Sequence, residues 1–548
     1  MVPSMASPLY RRVAKRILGR RLSARIVGLE LEWERRKRRR RIGNRQRLPY
    51  ARALEWAKRH EVPGGGIVQT DIRREAFPEV TGYFIPTLYE AGERDVALRN
   101  ARWLVGVVRP DGSVPAPDGG TYVFCAGQAL RGLLAAVEED SSLEAPCRRV
   151  ADFLCSQIGA KGTIASPSED THIWGNGRRL PDTYRLYVLP PLAEAGRVFA
   201  ERTYLTLAQR ACDYYSSIPT LLDDDMLSHF HAYVVEALVD LGHRDLARIA
   251  ASRMADRQKA DGSLPAYPSV KWTCSTGNLQ WAVIWYKLGM RQPAERAMAW
   301  AERYQEPSGG FRGSYALGAN YSSTEEISWA VKYFLDAVHW RIRTGFDAEE
   351  ALHPADLALS DGRLTALLEA LGDLNGKRVL DAGCGKGRFG KVLKQLFPEC
   401  ELWGVDSSRG MLQHVGGAFP VKMGSLLHLS FPAGEFDAVY CVESLQHVPN
   451  WDGALRELRR ALRPGGTLAI IDRNAKYLGV VDISPWERWF QPDAFIALLE
   501  RHFVRVSMAP VPQVAGQLLG DQFLIWRCEA NEDRAGDPPI IRETETQG

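Results

Sequence analysis

A glycine-rich stretch constrains the fold of this chain more than any other part of its sequence. The stretch "RVLDAGCGKGRFGKVL", residues 378 to 393, has the pattern of a buried strand, a tight turn and an amphipathic helix. Glycines at such a turn allow backbone N–H groups to approach a ligand at the start of the helix. Two ligand-binding spacings share these residues. Asp381, Gly383, Gly385 and Gly387 form D-x-G-x-G-x-G, and Gly385, Gly387 and Gly390 form G-x-G-x-x-G.

Asp381 discriminates between the two ligands that these spacings favour. A carboxylate inside the turn repels the pyrophosphate of a dinucleotide, whereas it attracts the cationic amino-acid end of S-adenosylmethionine. Asp406, which ends the next predicted strand, would bind ribose hydroxyls of either ligand and does not discriminate. A Walker loop is excluded because Lys386 is followed by Gly387 rather than by Ser or Thr. The sequence therefore favours S-adenosylmethionine.

Alternating strand and helix patterns continue after this stretch, and they predict a sheet of seven strands. The strands are "RVLDAG", "ELWGVD", "FPVKMG", "FDAVYCVES", "TLAIID", "RVSMAPV" and "DQFLIWRC", the last two close enough in sequence to form an antiparallel edge pair. Within this series, "FDAVYCVESLQHV" and "LRPGGTLAIID" resemble the fourth-strand and fifth-strand motifs of class I S-adenosylmethionine-dependent methyltransferases. The resemblance covers residues 377 to 472 and implies a Rossmann-like α/β fold that binds this cofactor.

The resemblance also implies which residues bind the cofactor. By position, the residues at the methionine end are Asp381, Gly383, Gly385 and Gly387, with Asp406 at the ribose and Met411 near the adenine. The family often has an acidic residue after the third strand that holds the adenine amine. Here "KMGSLLHL" has Ser425 in this region, so we expect a hydroxyl or backbone contact instead.

Methyl transfer is an in-line displacement, so the protein mainly aligns an acceptor and, for a hydroxyl, removes a proton. His447 follows the fourth strand and is our predicted base; a histidine that makes only a local bond is the alternative. Other candidates follow the fifth strand: Asp472, Arg473, Tyr477 and Glu487. We predict that "SPWERWF" is a helix capped by Ser484, with Glu487 reaching back to its start.

A different pattern, a series of similar turns, occupies residues 50 to 345. The turns "VRPDGSVPA", "IGAKGTIAS", "QKADGSLPA" and "QEPSGGFRG" are separated by 50, 100 and 47 residues. A repeat of about fifty residues fits if the copy within "YYSSIPTLLDDDML", residues 214 to 227, has lost its glycine. An amphipathic helix precedes each turn, and a more apolar helix precedes that one. We therefore predict six helical hairpins that close as an α/α toroid, because each hairpin needs a neighbour to bury its apolar face.

This region resembles the (α/α) toroids of six-hairpin glycosidases, polysaccharide lyases and terpene cyclases. "QKADGSL" and "QEPSGGF" are similar to the Q-x-x-x-G-x-W repeat of the cyclases, with Leu264 and Phe311 in place of Trp. Cyclases of the squalene type carry an Asp-x-Asp-Asp acid, whereas this chain has Asp223, Asp224 and Asp225 in a row. The resemblance implies a shared architecture and does not favour cyclase activity.

Polar and aromatic residues near the predicted toroid axis could bind carbohydrate or a polyprenyl-linked head group. They are Asp71, Arg73, Arg74, Glu79, Asp170, His172, Trp174, Tyr184, His229 and His231. The alternative is that they belong to the core and to loop ends, because buried Trp and Tyr are common and a His-x-His pair without further ligands rarely holds a metal. We predict no metal site.

The N-terminal segment is strongly basic. Residues 1 to 47 contain 16 Lys or Arg and three Glu, a net charge of +13 in a chain whose total is +4. Apolar residues recur among the arginines from residue 9 to 31, and "ERRKRRRR" follows at 34 to 41. Two interpretations stay open: peripheral contact with an anionic membrane or polyanion, and a solvated helix that packs on its own domain. A transit peptide is a weaker third interpretation.

Composition favours a cytoplasmic protein. We find no apolar run long enough to span a bilayer and no secretory signal, and the nine cysteines are scattered without a C-x-x-C pair. The protein could be peripheral to the inner face of the membrane through its basic segment. No specific nucleic-acid partner is expected.

These patterns predict a multidomain protein with an all-α toroid followed by an α/β methyltransferase fold. The predicted parts are a basic segment (1–48), the toroid (49–345), a connector (346–375), the methyltransferase domain (376–528) and a disordered tail (529–548). The predicted activity is methyl transfer from S-adenosylmethionine to an acceptor, which we expect to be a carbohydrate or a lipid-linked glycan. The alternatives are a small-molecule or lipid O-methyltransferase, or a bifunctional protein whose toroid is a glycan hydrolase or lyase.

Overall fold

The computed structural model describes residues 49–168, 181–479, 483–512 and 520–531. The predicted basic segment and its membrane contact lie outside the described residues, as do Asp170, His172 and Trp174 and most of the predicted tail. Within the described ranges, no helix has the length and apolarity needed to cross a membrane.

Helices form the first part of the described chain. Six of them are amphipathic and lie outside: α1 (Pro49–Arg59), α3 (Arg94–Val107), α5 (Glu144–Ser156), α7 (Arg202–Ser216), α9 (Arg244–Arg257) and α11 (Arg291–Tyr304). They alternate with more fully buried inner helices: α2 (Pro78–Glu90), α4 (Val123–Ala136), α6 (Leu189–Val198), α8 (Ser228–Asp240), α10 (Ser275–Lys287) and α12 (Ser328–Glu349). Two short strands, β1 (Thr273–Cys274) and β2 (Ser314–Tyr315), pair antiparallel. The predicted alternation of amphipathic and apolar helices is therefore present.

The inner helices contact one another in chain order, and the last one also contacts the first. Pairs in contact include α2 with α4, α4 with α6, α8 with α10, α10 with α12, and α12 with α2. The outer helix α1 packs on α12 as well, where the Tyr50 hydroxyl lies 2.8 Å from His339 Nε2. The start and the end of the helical region are thus neighbours.

The glycine turns explain how successive hairpins approach each other. Each repeat glycine has a positive φ, and a Cβ atom there would overlap the backbone carbonyl of an arginine in an outer helix. The pairs are Gly112 with Arg149 of α5, Gly162 with Arg210 of α7, Gly262 with Arg296 of α11, and Gly309 with Arg52 of α1. Only glycine fits such a close contact. The last turn therefore packs on the first helix in the way that each earlier turn packs on the outer helix after it.

The turn between α7 and α8 lacks this glycine. The stretch predicted to hold this repeat without its glycine, residues 214 to 227, begins inside α7, which ends at Ser216. After the helix, Asp224 forms an ion pair with Arg257 of α9. An ion pair between side chains holds the next outer helix at the position where the other turns use a backbone contact.

Aromatic rings from the inner helices fill the centre of the helical region. Tyr83, Phe124, Tyr187, Tyr233 and Tyr333 are all buried, and their ring centroids lie 4.7 to 6.5 Å apart in the contacting pairs. Beside them, Glu236 accepts hydrogen bonds from Tyr187 Oη at 3.0 Å and from Lys287 Nζ at 2.9 Å. These side chains pack against each other as a core does.

Two histidines that were candidates for an axial ligand site belong to this core. His229 and His231 are 2% and 1% exposed, and burial lowers their pKa values to about 3 and about 4. His229 Nδ1 lies 2.8 Å from Gln280 Oε1. Arg73 and Arg74, by contrast, are exposed. The core interpretation therefore accounts for both histidines.

The α/β part contains the seven predicted strands in one sheet. They are β3 (Arg378–Ala382), β4 (Glu401–Asp406), β5 (Val421–Met423), β6 (Phe436–Val442), β7 (Leu462–Arg473), β8 (Val504–Pro510) and β9 (Phe523–Glu529), in the order β5-β4-β3-β6-β7-β9-β8. Strands β3 to β7 are parallel, and β9 is antiparallel to both β7 and β8. The predicted antiparallel edge pair is thus β8 with β9. The Rossmann-like fold class is confirmed.

Helices cover both faces of this sheet. They are α13 (Gly362–Leu371), α14 (Arg388–Leu396), α15 (Arg409–Gln413), α16 (Trp451–Ala461) and α17 (Pro492–Leu499). One face packs on a core that includes α16 and α17, and the other on a core that includes α13 and α14. The glycine turn between β3 and α14 lies at the carboxyl edge of the parallel strands, where such sheets bind ligands.

The structure differs from the sequence prediction at "SPWERWF", which forms a turn and not a helix. Glu487 does reach back, because the Ser484 amide donates to its Oε2 at 3.4 Å. The chain then extends, and Phe490 exchanges backbone hydrogen bonds with Arg473 and Ala475 at the end of β7. Pairing with a distant strand therefore overrides the local capping signal.

Two predicted boundaries also shift. Helix α12 continues to Glu349, four residues past the predicted end of the helical region at 345. Strand β9 ends at Glu529, and the Ala530 amide donates to the Gly466 carbonyl at 2.9 Å. The first residues of the predicted tail therefore pair with β7.

The helical and α/β parts share a polar and aromatic interface. Asn450 donates from Nδ2 to the Ala91 carbonyl at 2.8 Å, and the His428 ring stacks on Tyr89 with centroids 4.9 Å apart. Near the glycine turn between β3 and α14, the Ser408 hydroxyl donates a hydrogen bond to Asp347 at 2.6 Å. Helix α12 is therefore bonded to the loop that follows β4.

Candidate active site

A cavity of about 520 Å³ lies where the carboxyl ends of the parallel strands meet the helical region. Its volume is within the range of small-molecule sites. The α/β part contributes the loops after β3, β4, β5, β6 and β7. The helical region contributes Glu90 of α2 and five residues of α12: His339, Ile342, Arg343, Phe346 and Glu349. The cavity is therefore built by both parts of the chain.

The structure brings together almost all of the sequence-predicted site residues. The cavity is lined by Asp381, Gly383, Gly385, Asp406, Met411, Ser425 and His447. Of the eight predicted residues, all of which the structure describes, only Gly387 lies outside the lining. Gly387 has a φ of 73° directly before α14, and a Cβ atom there would lie 3.1 Å from Val415 and Phe419. Gly387 therefore permits the backbone to turn into α14, and it does not line the cavity.

Gly383 and Gly385 are glycines for different reasons. Gly383 has a φ of 82°, and a Cβ atom there would overlap the Ser444 side chain. Gly385 has a φ of 53° and open space where its Cβ atom would be. A larger residue at Gly385 would be strained and would project into the space beside the loop. The loop is thus shaped to leave that space to a ligand.

Asp406 is held at the end of β4 by two backbone hydrogen bonds. Its Oδ2 accepts from the Gly385 amide at 2.8 Å, and its Oδ1 accepts from the Ser408 amide at 2.9 Å. Burial raises the pKa of the carboxyl, and the backbone bonds oppose that rise. The bonds fix the carboxylate at the edge of the cavity, where its remaining acceptor capacity suits ribose hydroxyls.

Asp381 is a buried carboxylate that the described residues leave incompletely paired. It is 3% exposed, and its Oδ2 has no hydrogen-bond partner among the described residues. Burial raises the pKa of this carboxyl to about 7; the neighbouring Tyr440 hydroxyl opposes the rise, and the charge of Asp406 adds to it. A cation next to this oxygen would remove the desolvation penalty. The ammonium of the methionine portion of S-adenosylmethionine fits this requirement.

An ion-pair cluster that the sequence did not indicate closes one side of the cavity. Glu443, directly after β6, has a φ of 52°, which is uncommon for a residue with a side chain. It pairs with Arg363, with Arg388 at 2.8 Å and with Arg473 at 3.4 Å. These partners come from α13, α14 and β7. Because they are distant in sequence, no local motif could have indicated the cluster.

The predicted base, His447, lies in the cavity in a poor environment for accepting a proton. Its ring is edge-on to Phe346, with centroids 4.8 Å apart. Its Nδ1 is buried without a hydrogen-bond partner among the described residues. Burial, followed by the charges of His353 and Arg473, lowers the pKa of His447 to about 3. The ring is therefore neutral and weakly basic at physiological pH.

The alternative residues after β7 divide into two groups. Asp472 is fully buried and accepts hydrogen bonds from the backbone amides of Gln446 and Arg473 at 3.0 and 3.1 Å. Its role is therefore to hold the backbone of the loops after β6 and β7. The Tyr477 hydroxyl donates a hydrogen bond to Asp521, and Tyr477 is absent from the lining that the described residues form. Arg473 and Glu487 do line the cavity. The connector adds His353, a half-buried residue whose pKa burial lowers and which the sequence analysis missed.

Comparison with protein families matches residues 380–470 to a model described as a methyltransferase domain. Among curated relatives, the chain is 37% identical over 124 residues to the fatty-acid O-methyltransferase of Mycolicibacterium smegmatis, covering 22% of this chain and 44% of that protein. It is 33% identical over 130 residues to the malonyl-[acyl-carrier protein] O-methyltransferase of Dechloromonas aromatica, covering 24% and 49%. The chain spans about half the length of these curated relatives.

Among solved structures, an S-adenosylmethionine-dependent methyltransferase of Thermotoga maritima, described as a possible histamine N-methyltransferase, is 21% identical. The match covers 35% of this chain and 100% of that one, with a TM-score of 0.29. The family match identifies the region around the glycine loop as a methyltransferase domain, and S-adenosylmethionine is its cofactor.

Proposed function

We propose that this chain transfers a methyl group from S-adenosylmethionine to an acceptor bound in the cavity between its two parts. One observation carries the proposal: Ile342 and Phe346 of α12 line the same cavity as Asp381 and Asp406. A molecule that packs against α12 would therefore lie beside the glycine turn (residues 381–387), which we assign to the cofactor. The helical region would then supply part of the acceptor site.

The roles of the cofactor residues follow from their positions. S-adenosylmethionine, when bound, supplies a methyl group on a positively charged sulfur. Asp381 would pair with its ammonium and Asp406 would accept from its ribose hydroxyls, while Met411 and Ser425 line the part of the cavity assigned to the adenine. The protein would contribute mainly orientation and exclusion of water. Arg363, Arg388 and Arg473 would keep Glu443 in place at the end of β6.

The acceptor side of the cavity favours a lipid or another small apolar molecule. The part of the lining that we assign to the acceptor includes the apolar side chains of Ile342, Phe346, Leu352, Leu427 and Val448, beside charged side chains of α12. Sugar sites usually present Trp or Tyr rings, and no Trp or Tyr is found in the lining over the described ranges. The relatives named above act, by their names, on a fatty acid and on malonyl-[acyl-carrier protein]. We therefore favour the small-molecule or lipid alternative over the carbohydrate that the sequence analysis expected.

The chemistry of the site favours an acceptor that needs no base. The low pKa of His447 makes it ill-suited to removing the proton of a hydroxyl. An acceptor oxygen that is already ionised, such as a carboxylate, can attack the methyl carbon directly. The products would be a methyl ester and S-adenosylhomocysteine, with the negative charge of the acceptor cancelling the positive charge of the sulfur. His447 would then orient the acceptor.

We further infer that the helical region is an (α/α) toroid of six hairpins. The contact of α12 with α2 and the packing of Gly309 on α1 support this architecture. A second activity as a hydrolase or lyase has less support. Glu236, a central carboxylate, is paired with Lys287, and the tyrosines around it are buried. The toroid would act as a scaffold that presents α12 to the cavity.

A product assay with the full-length chain tests the proposal. Isotope-labelled S-adenosylmethionine is incubated with fatty acids, acyl thioesters and lipid-linked glycans, and methylated products are identified by mass spectrometry. We expect label in a fatty-acid or acyl product. Label only in glycans would restore the carbohydrate prediction, and no binding of S-adenosylhomocysteine would refute the proposal.

A variant of α12 tests whether the helical region contacts the acceptor. Phe346→Leu removes a ring from the cavity wall, and we expect the KM for the acceptor to rise about five- to thirtyfold, from a loss of about 1 to 2 kcal/mol of apolar contact. Cofactor affinity should stay within about twofold, because Phe346 is assigned to the acceptor side. Thr344→Ala, in the same helix and outside the cavity lining, is the matched control.

A further inference from the structure

Lys386 is a largely buried residue of the glycine turn between β3 and α14, and it lines the cavity. It lies between Gly385 and Gly387 and is 9% exposed. Within the described part of the chain, its ammonium makes no hydrogen bond and no ion pair. Removing an ammonium from water without a partner is costly, so such a group is normally paired or has access to a ligand.

Other buried lysines of the same chain show the usual solution. Lys287 pairs with Glu236 at 2.9 Å and with Asp240 at 2.7 Å. Lys332 pairs with Asp336 at 2.7 Å. Both are core residues of the helical region. The Lys386 residue is exposed to a similarly small extent, but it lines a cavity and has no carboxylate partner among the described residues.

Charges of both signs lie near Lys386 on one side of the cavity. Burial lowers the pKa of His353 there, the charges of Glu349 and Glu443 raise it, and the charges of Arg388 and Lys386 lower it. Lys386 is therefore close to the connector side of the cavity. Arg388 is already neutralised there by Glu443 at 2.8 Å. The positive charge that remains unmatched among these groups is that of Lys386.

We propose that Lys386 binds a carboxylate of a ligand in this cavity. The carboxylate belongs either to the methionine portion of the cofactor or to the acceptor, and in the second case the inference rests on the proposed function. A single free ammonium matches a group with one negative charge. A phosphate with nearly two charges would require a second free cation. The guanidinium groups in the lining are paired: Arg343 with Glu90, Arg363 with Asp361, and Arg388 and Arg473 with Glu443.

Binding measurements on the full-length chain distinguish the two sources. The proteins are the wild type, Lys386→Met and the control Lys391→Met, whose lysine bonds only to the His414 carbonyl at the surface. The probes are S-adenosylhomocysteine, 5′-methylthioadenosine, which lacks the amino-acid portion, and dodecanoate added in the presence of S-adenosylhomocysteine. Calorimetry gives each dissociation constant.

If the carboxylate is that of the cofactor, Lys386→Met weakens S-adenosylhomocysteine about tenfold or more and leaves 5′-methylthioadenosine within about twofold. If it is that of the acceptor, S-adenosylhomocysteine is unchanged and dodecanoate weakens about tenfold or more. The proposal is overturned if S-adenosylhomocysteine is unchanged and dodecanoate is unchanged or does not bind. Lys391→Met should match the wild type throughout.

Two further comparisons keep the result interpretable. Lys386→Met should melt at or above the wild-type temperature, because it removes a buried charge; if it does not fold, Lys386→Gln replaces it. Lys386→Arg, which keeps the charge, should retain more affinity than either neutral variant. The proposed function fails separately, if no methylated product forms while binding of S-adenosylhomocysteine still depends on Lys386.

Discussion

The protonation of Asp381 should control cofactor affinity near neutral pH. In the free protein, burial raises the pKa of Asp381 to about 7, so the carboxyl is about half protonated at pH 7. A ligand ammonium beside its unpaired Oδ2 favours the ionised form. Binding should therefore release a proton, and affinity should rise with pH until the carboxyl is ionised in the free protein as well.

The size of the effect follows from that pKa. The protonated fraction of Asp381 is about 0.9 at pH 6 and about 0.1 at pH 8. Affinity for S-adenosylhomocysteine should therefore be about tenfold lower at pH 6 than at pH 8, a difference of about 1.4 kcal/mol. Calorimetry in buffers of different ionisation enthalpy should detect release of about 0.9 proton per ligand at pH 6 and about 0.1 at pH 8.

Asp381→Asn is the matched variant, because the amide keeps the shape and loses the charge. It should bind S-adenosylhomocysteine more weakly than the wild type at pH 8 and show no proton release in this range. The folded-state pKa lies above the unfolded value, so the wild-type carboxyl costs stability as pH rises from about 4 to 7, and the variant should melt higher at pH 8. Proton release that persists in Asp381→Asn would show that another group is responsible.

Three other perturbations give separate tests. Asp406→Ala should weaken S-adenosylhomocysteine by about 1.5 to 3 kcal/mol in calorimetry, since it removes charge-assisted ribose bonds, and an unchanged affinity would contradict the ribose assignment. Gly309→Ala should lower the melting temperature by several degrees, because its φ is 99° and a Cβ atom overlaps the Arg52 carbonyl, whereas Gly106→Ala, in an open helical position, should be neutral or stabilising. Deletion of residues 1–47 should abolish salt-sensitive binding to anionic vesicles and leave the melting temperature nearly unchanged; the opposite pattern would assign the segment to the helical domain.

The sequence indicated which residues of the glycine turn reach the cavity because their determinants are local. Asp381, Gly383 and Gly385 act through the backbone of one turn, so their spacing carries the information. Asp406 follows from the end of the next strand. The structure places all four on the cavity.

The remaining features depend on contacts between distant parts of the chain. Glu443 and Arg363 are 80 residues apart, and they meet because α13 packs on β7 and β9 while Glu443 directly follows the neighbouring strand β6. Phe346 lines the cavity because α12 continues past the predicted boundary at Gly345, although glycine often marks the end of a helix. The environment of His447 depends on burial by Phe346, so its low basicity could not be inferred from the residue type alone.

The contact between Tyr50 and His339 has a consequence for any ligand of the basic N-terminal segment. His339 lines the cavity, and the Tyr50 hydroxyl bonds to it one residue after the described chain begins at Pro49. A surface or polymer bound by residues 1–48 would thus be tethered beside the acceptor site. Tethering raises the effective concentration of acceptors on that surface relative to those in bulk water. The segment could in this way select acceptors by location without contacting them.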